Sequence, residues 1–143
     1  MVSKGHRRLN LRDKYIIGIS CGFHDASACL VYNGKVINAV EEERFTGIKH
    51  DSSFPIHSIR WLLKNNNLKQ EDIDYVTFYE DPNLKIDRVK SYSKPFLFIN
   101  QKLRNIKYFY NSIHHQIKDV THSDVNIIYC NHHLSHLSYG HHT

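Results

Sequence analysis

Close to the N-terminus, short runs of branched and aromatic residues alternate with polar turns, and further along they give way to longer stretches with helical spacing. Tyr15 to Ser20, Ala26 to Tyr32 and Lys35 to Val40 are three such runs, with Asn33-Gly34 between the second and the third. Asn-Gly supplies the positive φ that a two-residue hairpin turn needs at both central positions. The pattern predicts three antiparallel strands. Ser53-Phe54-Pro55 then leads into Ile56, Ile59, Leu62 and Leu63, which recur at helical spacing and end in Asn65-Asn66-Asn67. Proline near the start and asparagine beyond the end mark one short helix. Ile73 to Tyr79, halted by Asp81-Pro82, reads as a fourth strand. From Leu84 to Asp119 the pattern is helical and broken at Pro95, and Leu103, Ile106, Tyr110, Ile113 and Ile117 make a stripe that core packing explains. Val125 to Cys130 completes the set as a fifth strand. The order β-β-β-α-β-α-β predicts an α/β fold, with an antiparallel unit beside helix-connected strands in one mixed sheet.

Composition changes this picture little. With 143 residues, 41% apolar and 23% charged, the chain suits one globular core. It has no internal repeat or linker, so residues 15–143 read as one domain behind a flexible basic tail, residues 1–14. That tail and Tyr15 to Cys21 together imitate a signal peptide, but the apolar run is at the lower limit of the roughly 7–15 residues of a signal core. A first buried strand accounts for it. No apolar run approaches the roughly 18 residues of a membrane span, so no membrane is expected. Cys21, Cys29 and Cys130 are widely spaced and flanked by apolar residues, which predicts buried free thiols and a reducing cytoplasm. A net charge of +5 is too modest to argue for nucleic acid.

Four groups of residues carry candidate chemistry. His132 and His136 stand four apart just after the fifth strand, a spacing that sets two imidazoles on one helical face as part of a metal site. No glutamate lies between them as in the zinc-protease helix, so no general base comes with the pair. His24-Asp25 falls in the turn between the first two strands, where a histidine beside a carboxylate can act as a base or orient a substrate. The alternative is a plain turn in which Asp25 accepts backbone amides and His24 is merely exposed. Within the charge run Glu41 to Asp51, Arg44, Lys49 and His50 are candidates for binding phosphate or carboxylate. Lys85, Arg88, Lys90, Lys94, Lys102, Arg104 and Lys107 interleave with Tyr92, Phe96, Phe98, Tyr108 and Phe109, as on a nucleic-acid surface; core aromatics explain most of these rings equally well.

Taken in order, Gly18 to Val31 (GISCGFHDASACLV), Glu41 to Pro55 (EEERFTGIKHDSSFP), Asp72 to Pro82 (DIDYVTFYEDP) and Asn131 to His136 (NHHLSH) resemble the N-terminal part of the O-carbamoyltransferase family, which tailors nodulation factors and antibiotics. The resemblance implies a ribonuclease H-like lobe of the actin-like ATPase superfamily. In such enzymes a separate domain makes carbamoyladenylate from carbamoyl phosphate and ATP, and the actin-like domain passes the carbamoyl group to an acceptor hydroxyl. It implies His24 as the active-site histidine and His132 and His136 as ligands of a divalent metal, iron or zinc. It also sets Asp25, Arg44 and Lys49 near the substrate and nucleotide. The second lobe, with the third ligand, and the adenylate-forming domain have no counterpart in these residues. The expectation is therefore an incomplete lobe, inactive alone, that works on a small-molecule substrate with a complementary lobe or chain. The alternative is a noncatalytic module that binds nucleic acid or another anionic partner through the basic helical segment.

Overall fold

The computed structural model describes residues 10, 12–92 and 96–131, with only the backbone at 96 and 97. Most of the basic tail, with Lys94 and Pro95, therefore lies outside the described residues, as do His132 and His136. The elements run β1 (Tyr15–Ser20), β2 (Ser27–Tyr32), β3 (Lys35–Glu41), α1 (Glu43–Thr46), α2 (Ile56–Asn65), a 3-10 turn (Gln70–Asp72), β4 (Tyr75–Phe78), α3 (Pro82–Tyr92), α4 (Phe96–Val120) and β5 (Asn126–Tyr129).

The sheet order is β3-β2-β1-β4-β5. Strands β1, β2 and β3 pair antiparallel. Strand β4 lies parallel to β1, and β5 parallel to β4. This is the mixed α/β lobe that the residue pattern predicts. The β2–β3 hairpin turns on Asn33 at φ 50° and Gly34 at φ 75°, the positive pair the turn demands. Three details differ from the pattern. A single helical turn, α1, stands in the charge run and stops at Gly47, whose φ of 68° no ordinary side chain favours. The 3-10 turn precedes β4, and β4 is shorter than its apolar run. Its lead-in is held instead by Asp74, whose carboxylate accepts the Tyr15 amide at 3.0 Å while its own amide donates to the Tyr15 carbonyl at 3.0 Å.

Alternation along the strands sends Ile17, Ile19, Leu30, Val76 and Phe78 into one buried cluster. Ile59 and Leu62 of α2 and Tyr110, Ile113 and Ile117 of α4 join it, so the helical stripe is core packing as expected. Fully burying one such aliphatic side chain contributes about 1.5–3 kcal/mol. Behind this core, Glu80 ties β4 to both later helices. Its carboxylate accepts from Lys85 Nζ at 3.0 Å, Arg88 at 3.4 Å and the Tyr110 hydroxyl at 3.0 Å. The opposite row of the sheet holds small groups: Gly18 pairs with Cys29 and Thr77, and Cys29 pairs with Ala39. A Cβ on Gly18 would approach the Cys29 sulfur to 2.8 Å, so glycine lets the strands carry that thiol.

All three cysteines are free, but only Cys21 is buried; Cys29 and Cys130 are half-buried. Burial pushes the Cys21 thiol up to about 12. Among the aromatic residues of the basic region, Tyr92, Phe98 and Tyr108 are exposed while Phe109 packs against the core, so core packing accounts for fewer of them than the sequence allowed. No helix among the described residues is long and apolar enough to cross a membrane.

Candidate active site at the strand ends

Because β1, β4 and β5 run parallel, their C-terminal ends share one edge of the sheet. The register Ser20–Ser27–Glu41 brings the start of β2 and the end of β3 to the same edge. Three backbone bonds tie its loops together: Gly22 N–H to Ser52 O at 2.7 Å, Ala26 N–H to Asp51 O at 2.7 Å, and Glu42 N–H to Ala26 O at 2.8 Å. Beside β1, Gly22 adopts φ 85° and leaves room for the Phe109 ring.

Asp25 sits in this edge at φ 49°, and each of its carboxylate oxygens serves a different imidazole. His24 Nδ1 donates to Oδ2 at 2.8 Å, and His50 Nδ1 donates to Oδ1 at 2.8 Å. A carboxylate oxygen only accepts, so both Nδ1 atoms carry hydrogen, and in the neutral rings the lone pair lies on Nε2. His50, at φ 56°, is fixed further by its amide, which donates to Glu43 Oε2 at 2.7 Å. Hydrogen bonds from His50 and then His24 hold the Asp25 carboxyl below its usual range, and the Asp25 bond raises the His50 imidazole. The turn is therefore not the plain one considered above, since its carboxylate accepts from two imidazoles. Both rings remain open to solvent, at 68% for His24 and 64% for His50.

The next residues along are structural. Glu42 is 1% exposed, and its carboxylate accepts from His57 N–H at 3.1 Å, His57 Nδ1 at 2.6 Å, Ser58 N–H at 2.8 Å and Ser58 Oγ at 2.6 Å. Amides in the first turn of α2 have no partner within the helix, and a buried anion answers them. Burial would raise the Glu42 carboxyl, but the bonds from Ser58 and His57 outweigh it and hold it low. Asp51 plays a similar part in its loop, accepting from Thr46 Oγ1 at 2.7 Å and Ser53 N–H at 2.9 Å. Neither Glu42 nor His57 stands out in the sequence. The available signal is a glutamate upstream of a helix start that offers no side-chain cap of its own.

Arg44 is exposed and lines an open pocket of about 970 Å³, together with Ser20, Ser27, Glu41, Tyr79 and Cys130. Lys49 is exposed one residue before His50. His24 and His50 each contact Asp25 directly, while Arg44 stands on α1, Lys49 in the loop after it, and none of the three clustered residues lines that pocket. His132 and His136 lie outside the described residues; Cys130 is anchored at this edge by its amide, which donates to Phe78 O at 2.8 Å. Among the described residues, Asp25, Glu43 and His50 bring donor atoms within 4.8 Å of one another. His50 bonds both carboxylates, Asp25 through Nδ1 and Glu43 through its amide.

The molecule is thus a mixed α/β lobe with a histidine–carboxylate cluster where parallel strands end, the usual place for a ligand in such sheets. The family model "Carbamoyltransferase N-terminus" matches residues 15–139, and the chain belongs to that family. It is 45% identical over 56 residues to nodulation protein NolNO of Sinorhizobium fredii, covering 39% of this chain and 8% of that protein. An uncharacterized protein of Synechocystis is 43% identical over 75 residues, covering 52% of this chain and 12% of its own length. An uncharacterized protein of Methanocaldococcus jannaschii is 33% identical over 100 residues, covering 70% of this chain and 18% of its own length. The matched stretches are therefore a small part of these relatives.

Proposed function

We propose that this chain is the N-terminal lobe of an O-carbamoyltransferase that moves a carbamoyl group from carbamoyladenylate, made from carbamoyl phosphate and ATP, to an acceptor hydroxyl. The observation that supports it most is the His24–Asp25 pair at the strand ends, within a chain of the carbamoyltransferase family. In the transfer, the acceptor oxygen attacks the carbamoyl carbon and gives its proton to His24 Nε2. The bond from that carbon to the adenylate phosphate oxygen breaks, and AMP leaves with the electron pair. Arg44 and Lys49 contribute positive charge for the phosphate of the donor. His132 and His136 would hold a divalent iron or zinc ion; two imidazoles suit either, and such an ion polarises a bound oxygen.

The pocket that Arg44 lines is open, so on this reading the lobe needs the rest of a full-length chain to exclude water and supply the adenylate. Carbamoyl transfer from labelled carbamoyl phosphate tests this. The 143 residues alone are expected to show no turnover, and adding the complementary lobes in trans is expected to start it. Robust turnover by the chain alone overturns the lobe reading.

A second reading, binding of a nucleic acid, is favoured by exposed Tyr108 and Phe98 on the helix that carries Lys102, Arg104 and Lys107. It requires binding that weakens steeply with salt and is lost when Lys102 and Arg104 become glutamate.

A further inference from the structure

One carboxylate between two imidazoles is more than His24 needs to be hydrogen bonded. The terminal torsion of an aspartate is broad and two-fold, so a neighbouring His24–Asp25 pair at the surface leaves the carboxylate free to swing. An isolated exposed pair of this kind holds its geometry weakly. Here the other oxygen is taken by a ring that arrives from 25 residues away. That ring stands on a braced support: the His50 amide is bonded to Glu43, and the adjacent Asp51 carbonyl accepts the Ala26 amide, next to Asp25 itself. Both Asp25 and His50 adopt positive φ, which only a small share of non-glycine residues do.

We propose that His50 is a positioning residue: acting through Asp25, it fixes the carboxylate so that His24 keeps its hydrogen on Nδ1 and presents Nε2 as the proton acceptor. The inference rests on the reading of His24 as the base in carbamoyl transfer. The charged groups that meet His50 are Asp25, in the turn after β1, and Glu43, at the start of α1, whose carboxylate accepts the His50 amide. His50 touches neither donor nor acceptor in this account; its effect is carried by the carboxylate alone.

The test is nitrogen NMR of the imidazoles in the whole 143-residue chain at about pH 8, where ordinary histidines are neutral. In the parent chain His24 is expected mainly as the Nδ1–H tautomer. His50→Gly suits the positive φ but removes the donor, and is expected to lower the ratio of Nδ1–H to Nε2–H at His24 by about two- to tenfold, the net worth of one hydrogen bond. His50→Asn tolerates the same backbone, offers an amide N–H near the position of Nδ1, and is expected to restore the ratio. A His24 ratio unchanged in His50→Gly overturns the proposal. If His50→Gly does not fold, His50→Asp, which tolerates the same backbone and presents only acceptor oxygens, is expected to give the same loss, and an unchanged ratio there overturns the proposal. The NMR result stands apart from catalysis: an intact tautomer effect with no carbamoyl transfer in the assembled enzyme sinks the functional reading and leaves the positioning role in place.

Discussion

Asp25 Oδ1 accepts the Nδ1 hydrogen of His50 at 2.8 Å, a side-chain contact that joins the turn after β1 to the loop after α1 beside the Gly22–Ser52 and Ala26–Asp51 backbone bonds. The bond defines a pH window. The Asp25 carboxyl is held below its ordinary 3.8, so its stabilising contribution is full above that value and is lost as pH falls through the lowered one. The His50 imidazole is raised above its ordinary 6.5, so its contribution is full below that value and is lost as pH rises through the raised one. The pair therefore supports the fold most between 3.8 and 6.5. Urea midpoints of the parent and Asp25→Asn should differ most inside this window and converge on either side; a difference independent of pH contradicts the assignment.

Glu42 yields a stability prediction. Glu42→Ala removes four acceptor contacts and leaves His57 and Ser58 donors at a buried helix start, which should cost about 3 kcal/mol. Glu42→Gln keeps the shape and part of the bonding and should cost less than half of that, as read from urea unfolding. Equal losses in the two variants would mean that packing, not the carboxylate, secures α2.

The strands are legible in the sequence because their runs of branched and aromatic residues are bounded by turns, and the helical stripe because Tyr110, Ile113 and Ile117 recur at about three and a half residues. The turn at Asn33-Gly34 is legible because its chemistry is local. Glu42 is not, since it belongs to a charge run that reads as a solvated face, and only the unpartnered amides of α2 reveal why it is 1% exposed. The α1 turn has no apolar stripe to announce it. His24 and Asp25 stand out as neighbours, but the role of His50 depends on positive φ at two non-glycine positions and on a meeting across 25 residues, which no spacing rule encodes.

Gly22 offers a further test. A side chain there would be strained at φ 85° and would also run into the Phe109 ring, so Gly22→Ala should destabilise by about 1–3 kcal/mol. Adding Phe109→Leu should recover the steric share and not the backbone share, giving a measurable coupling in a double-mutant cycle. Additive losses would show that the ring does not press on this position.

Metal uptake separates the histidines after β5. His132→Ala and His136→Ala should each lower bound iron or zinc in the assembled protein by about tenfold or more, whereas His133→Ala, outside the four-residue spacing of the pair, should lower it less. Equal losses in all three, read by elemental analysis, would refute the pairing.

Whether the strand-end cluster performs carbamoyl transfer is read from kcat of a chimaera in which these residues replace the N-terminal part of an active carbamoyltransferase. The chimaera should transfer carbamoyl to its acceptor, and His24→Ala should lower kcat by about 10²–10⁴-fold, the range for loss of a general base, with its adenylate-forming step intact. A His24→Ala chimaera that turns over as fast as its parent would contradict the account.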